Sequence, residues 1–201
     1  MSRKPLERVR LILSRLFAFC LVAVMLSSVS AWESSLVSAG LFAAGCLLIG
    51  VAVVGRMWCA LYIAGYKTHT LVTLGPYSVS RNPLYFFNLL GGLGVALCTE
   101  TLTMPLVVGI AFALYYPLII ANEASRLRAA HGEAYDAYCR RTPAFWPRWR
   151  NLREADTYMV NAMVVRKNAL EAVWFMAGIA LLEILEQLHE LGHVPVGLRL
   201  Y

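Results

Sequence analysis

The chain has 201 residues, of which 59% are hydrophobic and only 15% are charged, with a formal net charge of +6. A soluble domain carries about 25% charged residues, so this composition places the chain among integral membrane proteins. The basic residues flank apolar stretches and do not interleave with aromatic residues on a polar module. The charge therefore indicates contact with an anionic membrane surface and excludes nucleic acid as a partner.

Apolar stretches predict an all-α, polytopic membrane helix bundle with four to five transmembrane helices. The predicted spans cover, in chain order, residues 11–32, 36–65, 84–98, 104–121 and 169–188. The third is short and follows Pro83, which suits a first helical turn, and Pro117 predicts a kink in the fourth. The fifth contains three glutamates, so it either crosses the membrane or lies on the bundle or the surface.

The first stretch has a second interpretation. A basic start, an apolar run and the tripeptide Val29-Ser30-Ala31 are also typical of a secretory signal peptide with its cleavage site. A membrane span is the more economical interpretation because it leaves an even number of crossings before the basic segments that follow.

The distribution of Lys and Arg predicts the orientation. Of the 18 basic residues, 17 precede or open the first span, surround the connection between spans two and three, or follow span four. The connections near Glu33 and Glu100 carry none. The positive-inside rule therefore places the N-terminus and the basic loops on the cytoplasmic side of a cytoplasmic (inner) membrane. Only Arg199 would lie outside, and only if the fifth element crosses.

Small residues recur within the predicted spans. Four of the five cysteines lie in apolar stretches, and no CxxC pair is present, so we interpret them as small core residues and predict no metal site for them. Gly91 and Gly94 share a helical face, and four further glycines recur at intervals of five from Gly40 to Gly55. These glycines predict close helix packing.

Two polar segments stand out on the cytoplasmic side. In the first, Gly75-Pro76 marks a turn, and Asn82 before Pro83 favours an extended residue followed by a helix start. The free N–H groups of that helix start, together with Arg81, would form an anion site. The alternative is a plain loop that anchors the span through its Tyr and Arg side chains.

The second polar segment covers residues 122–147. Glu123 lies where the fourth span leaves the bilayer, and Arg126 three residues later is a potential ion-pair partner. An amphipathic stretch follows, and then a basic, aromatic and proline-rich run over residues 140–147. By itself this run fits either part of a site or an interfacial belt on the lipid headgroups.

In combination, the two segments resemble a known family. The pattern Gly-Pro-Tyr-x-x-x-Arg-Asn-Pro-x-Tyr, a pair of spans, and then Glu-x-x-x-Leu-x-x-x-His-Gly-x-x-Tyr-x-x-Tyr with a basic tail is similar to the integral membrane methyltransferases. That family includes the isoprenylcysteine carboxyl methyltransferases and the phospholipid N-methyltransferases. The resemblance covers about residues 70–147. It implies S-adenosylmethionine as cofactor and a lipid or lipidated acceptor that enters from the bilayer.

The resemblance also implies site residues. Those implied to bind the cofactor are Arg81, Asn82, Pro83, Tyr85, Glu123, His131, Gly132, Tyr135 and Tyr138. Those implied to be catalytic are Glu123, Arg81 and Arg140. The chain departs from the family in having Ala124 where a second Glu is common and Phe87 where Gly is common, and we expect Phe87 to narrow the space beside the cofactor.

Methyl transfer from an activated donor needs positioning and exclusion of water more than a nucleophilic triad. We expect Glu123 to hold the amino group or ribose of the cofactor, and Arg81 or Arg140 to pair with its carboxylate or with an anionic acceptor. Tyr135 and Tyr138 would offer their rings to the cofactor. An ammonium acceptor would need a base, for which Glu123 or His131 would serve.

A competing motif lies near the C-terminus, where His189-Glu190-Leu191-Gly192-His193 matches the HExxH pattern of zinc hydrolases. Against this interpretation, Gly192 and Pro195 predict that the helix ends within the motif. The favoured interpretation is therefore an amphipathic helix end, and a zinc-dependent membrane hydrolase is the less favoured alternative.

Three parts of the chain are predicted. Residues 1–66 form an N-terminal transmembrane hairpin, residues 67–150 form the methyltransferase core, and residues 151–201 form a C-terminal extension with the fifth hydrophobic helix. A non-catalytic membrane scaffold of the same fold is the alternative from another class. The identity of the methyl acceptor and the oligomeric state stay open, because acceptor choice depends on pocket shape.

Overall fold

The computed structural model describes residues 24, 28–32, 34–63, 70–157, 160, 162–193 and 197–201. Within these residues the chain forms β1 (Ser28–Ser30), α1 (Ser35–Ile63), α2 (Pro76–Val79), α3 (Pro83–Leu97), α4 (Thr103–Arg141), a 3-10 turn (Trp149–Asn151), α5 (Ala162–Glu190) and β2 (Leu198–Leu200). The described chain is thus mostly helical, as predicted, and the helices correspond to the predicted second, third, fourth and fifth spans.

Most of the predicted first span lies outside the described residues, but its end is described and differs from the prediction. Residues 28–30, predicted as helix, form β1 and pair in parallel with β2, with Ser28 opposite Leu198. Ala31 continues the pairing, since its N–H donates to the Leu200 carbonyl at 2.7 Å. The backbone groups of this segment are therefore taken up by a partner that is remote in sequence, which a local apolar pattern does not reveal.

Glycines allow α1 and α3 to pack closely, as the sequence predicts. A Cβ atom built on Gly45 would lie 2.6 Å from the Gly94 carbonyl oxygen, and one built on Gly55 would lie 2.1 Å from the Phe87 ring. Gly50, by contrast, has open space around it. The two faces of α1 therefore differ, and only the glycines that touch α3 require the absence of a side chain.

The predicted fourth span and most of the polar segment after it lie on α4. Its dihedral angles are helical on either side of Pro117 and leave the helical range at Gly132, with φ 51° and ψ −125°, so α4 consists of two helices joined by a kink at that glycine. Only glycine adopts this combination without strain. Gly132 therefore separates the long first part of α4 from its last turns.

The bundle has two distinct ends. At one end Thr103 donates its N–H to the Tyr201 carbonyl at 2.8 Å, and Ser30 Oγ donates to the Glu100 carbonyl at 3.2 Å. At the other end lie α2 and the start of α3. The two ends are about 21 Å apart, because α3 has 15 residues and an α-helix rises about 1.5 Å per residue. The chain before α5 is hydrogen-bonded to the α2 end, since Gly75 donates its N–H to the Arg153 carbonyl at 2.7 Å. The chain after α5 lies at the β1–β2 end, so α5 runs along the bundle, where it packs on α1.

Two of the described helices, α1 and α4, are long and apolar enough to cross a membrane. Only 17% of the apolar window of α1 and 6% of that of α4 is buried within the protein. Large apolar side chains on these helices, such as Leu47 and Leu114, are each 72% exposed. Helices with such faces need an apolar surrounding, which identifies the chain as a membrane protein.

Candidate functional site

The first polar segment folds into a tight turn, as the Gly-Pro pair predicts. Gly75 has φ 58°, and its Cα lies against the ring of Tyr62, where a Cβ atom would come within 2.3 Å. Ser78 Oγ donates to the Gly75 carbonyl at 2.7 Å, and this bond closes the single turn of α2. The side chains of the turn are buried, which fixes its backbone. The residues that follow the turn, Arg81 to Tyr85, are therefore held in one orientation.

The chain that follows α4 lies along this turn. Arg81 donates its N–H to the Pro143 carbonyl at 2.9 Å, and Arg148 donates its N–H to the Val79 carbonyl at 2.9 Å. Between these bonds, Asn82 Nδ2 donates to the Ala144 carbonyl at 2.7 Å. The structure therefore brings together the two segments whose combination the sequence analysis singled out.

Glu123 and Tyr85 make a direct contact between the two segments. The Tyr85 hydroxyl donates to Glu123 Oε2 at 2.8 Å. Glu123 lies on α4 and Tyr85 on the first turn of α3, and the Tyr85 ring also packs edge-on against Tyr116 at 5.3 Å. The hydrogen-bond partner of Glu123 is thus the Tyr85 hydroxyl, whereas the sequence predicted Arg126 as a potential ion-pair partner.

A cavity of about 370 Å³ opens beside this contact, here called the Glu123 cavity. Its lining residues come from the end of α1, the turn, the start of α3 and the last part of α4. They are Ile63, Thr70, Leu71, Val72, Tyr77, Arg81, Asn82, Pro83, Leu84, Tyr85, Glu123, Arg126, Leu127 and Tyr138. One carboxylate, two guanidinium groups and three phenols therefore face a mainly apolar space, which is typical of a small-molecule site.

The predicted site residues fall into two groups. Arg81, Asn82, Pro83, Tyr85, Glu123 and Tyr138 line the Glu123 cavity, whereas His131, Gly132, Tyr135 and Arg140 do not. Helix geometry explains the division. Gly132 is the break in α4, and Arg140 is exposed on its last turn.

Tyr138 and Tyr135 differ although both are buried. The Tyr138 hydroxyl donates to the Tyr77 carbonyl at 2.6 Å, so this ring forms a wall of the cavity. Burial raises the pKa of the Tyr138 phenol, which therefore stays a neutral donor at pH 7. Tyr135 packs edge-on behind it at 6.2 Å, away from the cavity, with Arg128 over its ring at 5.9 Å.

Tyr77 and Arg126 also line the cavity, although the sequence analysis did not name them as site residues. Tyr77 was only part of the turn motif, yet its buried hydroxyl has no hydrogen-bond partner among the described residues. Arg126 had been considered only as an ion-pair partner for Glu123. The clue for Tyr77 was its place in the Gly-Pro-Tyr motif, because a buried turn directs its third residue inward.

Neither departure from the family pattern faces the cavity. Phe87 is 5% exposed and packs on Gly55 of α1. Phe87 therefore does not line the Glu123 cavity, because its ring fills the gap that the α1 glycine leaves, and its effect on cofactor binding stays a prediction. Ala124 is half-buried on α4 and lies outside the cavity lining.

The HExxH segment does not lie on one continuous helix. Helix α5 ends at Glu190, and Gly192 has φ 71°. His193 donates its N–H to the Leu188 carbonyl and Gly192 donates to the His189 carbonyl, each at 3.0 Å, which is the Schellman pattern of a helix end. The early end predicted from Gly192 is confirmed, and the two histidines are not one helical turn apart on one face.

Comparison with known proteins extends these observations. The model of the phospholipid methyltransferase family matches residues 36–134, which include α1, α3 and Glu123. The chain is 41% identical to the cobalt-zinc-cadmium resistance protein CzcN of Cupriavidus metallidurans over 187 residues, 93% of this chain and 86% of that protein. It is 39% identical to the nickel-cobalt-cadmium resistance protein NccN of Alcaligenes xylosoxydans xylosoxydans over 171 residues, 85% of this chain and 80% of that protein.

No solved structure matches the chain significantly. The family match nevertheless covers the first motif segment and the second as far as residue 134, and it begins at residue 36 in α1. The chain therefore belongs to the phospholipid methyltransferase family, to which the isoprenylcysteine carboxyl methyltransferases are related.

Proposed function

We propose that the chain catalyses S-adenosylmethionine-dependent methyl transfer to a lipophilic acceptor in the membrane, such as an isoprenylcysteine-like carboxylate or a phospholipid amine. One observation carries the proposal: six of the nine residues implied to bind the cofactor line a single cavity. Tyr85 and Glu123 lie 38 positions apart in sequence and are hydrogen-bonded there. Their meeting is therefore a property of the fold and not of sequence proximity.

The residues of the Glu123 cavity fit the cofactor. S-adenosylmethionine presents an ammonium group, a carboxylate and ribose hydroxyls. Glu123 supplies an acceptor for the ammonium group or the ribose, and Arg81 supplies a donor for the carboxylate. The Nε atom of Arg81 and the hydroxyl of Tyr77 are buried and have no hydrogen-bond partner within the part of the chain that the structure describes. Such groups each cost about 1–3 kcal/mol when left unsatisfied, which favours a polar ligand beside them.

The bound cofactor would supply a methyl group that is already activated on a sulfonium. The protein residues then orient the reactants and exclude water. Tyr85 holds the Glu123 carboxylate in one orientation, and Tyr138 and Leu127 close the cavity around it. For an amine acceptor we assign the base to Glu123, because His131 lies outside the cavity. For an anionic acceptor we assign the cationic partner to Arg81, because Arg140 is exposed and lies outside it as well.

We also propose that α3 and α5 cross the membrane together with α1 and α4. This gives four spans among the described helices, with the Glu123 cavity on the cytoplasmic side of the inner membrane. The first apolar stretch, predicted as a further span, lies mostly outside the described residues. The course of α5 between the two ends of the bundle supports the crossing. In this arrangement residues 67–150 are the methyltransferase core, between the hairpin 1–66 and the extension 151–201. Single cysteines at Glu154 and Leu191 should be labelled from opposite sides of the membrane; labelling of both from one side would refute the crossing of α5.

Binding of S-adenosylhomocysteine to the purified protein in detergent tests the cofactor assignment. We expect micromolar binding that falls at least about tenfold in Glu123→Gln, since a charge-assisted hydrogen bond contributes about 1.5–3 kcal/mol. Glu133→Gln is the matched control, because Glu133 lies on the same helix, is exposed and does not line the cavity. Absence of binding to folded protein would replace this proposal with the non-catalytic scaffold.

A second function is favoured by the names of the two relatives, both of which are metal resistance proteins. We propose that this chain likewise contributes to resistance to divalent metal ions, and that it does so through the Glu123 cavity. A deletion strain complemented with the wild type should grow in cobalt, zinc, cadmium or nickel, and one complemented with Glu123→Gln should not. Equal growth of the two strains would mean that metal resistance does not depend on the Glu123 cavity and is therefore separate from methyl transfer.

A further inference from the structure

A second cavity, of about 350 Å³, shares Tyr138 with the Glu123 cavity as a lining residue. It is here called the arginine cavity. Its lining residues come from the turn before α2, the last turns of α4 and the 3-10 turn. They are Thr73, Leu74, Ser78, Ala134, Ala137, Tyr138, Arg141, Thr142, Arg150, Asn151, Leu152 and Arg153.

The charge of this cavity has one sign. Three arginines line it, and no Asp or Glu does. Among the described residues, none of the three guanidinium groups has a carboxylate within ion-pair distance. Like charges around one small space repel each other, and a bound anion would remove that repulsion. A planar guanidinium group offers paired donors that suit the oxygens of a phosphate.

The backbone that carries the arginines is held in place. Asn151 Nδ2 donates to the Arg141 carbonyl at 3.0 Å, which joins the 3-10 turn to the end of α4. Arg153 donates its N–H to Ser78 Oγ at 3.0 Å and accepts from the Gly75 N–H at 2.7 Å. The turn before α2, the end of α4 and the segment around the 3-10 turn are thus hydrogen-bonded to one another, so the walls of the arginine cavity are fixed.

The surroundings of the cavity place it at the level of lipid headgroups. Trp149 directly precedes Arg150, is 56% exposed and stacks on Trp58 of α1, with ring centroids 6.3 Å apart. Trp146, three residues earlier in the chain, is 70% exposed. Exposed tryptophans next to arginines at the end of membrane helices are typical of the interface with phospholipid.

We propose that the arginine cavity binds a phosphate group through Arg141, Arg150 and Arg153. The phosphate of a membrane phospholipid and a free phosphate ion share this chemistry, and the site is separate from the Glu123 cavity. The proposal does not depend on methyl transfer, because it requires only the charge, the walls and the location of the second cavity.

The experiment uses the full-length protein in detergent with two ligands. Bound phosphatidylglycerol is counted by native mass spectrometry, with diacylglycerol as a lipid that lacks the phosphate. Inorganic phosphate is measured by equilibrium dialysis at constant ionic strength. Arg150→Gln and Arg153→Gln are the test variants. Arg148→Gln is the matched control, because it removes one charge from the same segment outside the cavity lining.

We expect phosphatidylglycerol to bind the wild type and Arg148→Gln and to bind each test variant about tenfold more weakly, with no binding of diacylglycerol. The same pattern seen only with inorganic phosphate would support the site and identify a soluble ligand. Absence of binding of either ligand to the wild type would overturn the proposal. So would binding that both test substitutions leave unchanged.

Discussion

The Glu123 cavity and the arginine cavity share Tyr138 as a wall and are similar in size, yet they differ in charge. The first combines one carboxylate with two guanidinium groups, and the carboxylate is oriented by a phenol. The second has three guanidinium groups and no carboxylate. A cavity with both signs of charge suits a zwitterion such as an amino-acid-derived cofactor, whereas a cavity with one sign suits a simple anion. The same turn and the same helix thus contribute to two cavities of different charge.

The largest expected effect is the loss of ligand binding in both cavities. Gly132→Ala should abolish binding of S-adenosylhomocysteine and of phosphate, because an alanine at φ 51° and ψ −125° is strained and would favour a straight α4. Isothermal titration with each ligand measures both losses. Gly178→Ala on α5 is the control, because that glycine also has open space around it and lacks the positive φ. Retention of both sites in Gly132→Ala would show that the break does not position them.

A smaller effect should lower stability without distinguishing the cavities. Gly55→Ala would place a methyl group within 2.1 Å of the Phe87 ring, so we expect a loss of about 1–3 kcal/mol of unfolding free energy. Thermal unfolding in detergent measures the loss, and Gly50→Ala, with open space around it, is the control. A selective loss of one ligand in Gly55→Ala would contradict the view that α1 serves mainly as a packing surface.

A third change should separate the two cavities. Tyr85→Phe removes the donor to Glu123, so we expect about tenfold weaker binding of S-adenosylhomocysteine and unchanged binding of phosphate. Tyr115→Phe is the matched control, because Tyr115 lies on α4 outside both linings. Equal weakening of both ligands in Tyr85→Phe would mean that the cavities are not independent.

The smallest effect concerns Tyr138, which lines both cavities. Tyr138→Phe removes the hydrogen bond to the Tyr77 carbonyl, and we expect a loss of about 1 kcal/mol of unfolding free energy near pH 7. Burial raises the pKa of Tyr138 in the folded state, so the wild type should lose stability as the pH rises above about 10, the unfolded value. Tyr138→Phe should lose less over that range. Parallel pH profiles of the two proteins would contradict this role of burial.

The motif resemblance predicted the family and, through it, the meeting of the two polar segments, whereas apolar run length and local turn chemistry predicted the positions of α1 and α3. The sequence did not predict the break at Gly132, which lies ten residues beyond the start of the polar segment. It also did not predict the pairing of β1 with β2, whose partners are remote in sequence.

Within the Glu123 cavity, the sequence motif placed residues correctly where the turn and the helix start determine their direction, as for Arg81 and Tyr85. It was less informative on α4, where one break in the helix rotates everything after it. Tyr135 and Tyr138 are three residues apart, yet only the second reaches the cavity. The break at Gly132 changes the direction of every side chain after it, so the face of these last turns that meets the cavity does not follow from the helical period of the preceding part of α4.

Every residue after Gly132 that lines either cavity is carried by one backbone conformation. Tyr138, Arg141 and the 3-10 turn with Arg150 all follow that glycine in the chain. Of these, Tyr138 lines both cavities. The relative placement of the two cavities is therefore set by the dihedral angles of one residue, whereas the charge of each cavity is set by its own side chains.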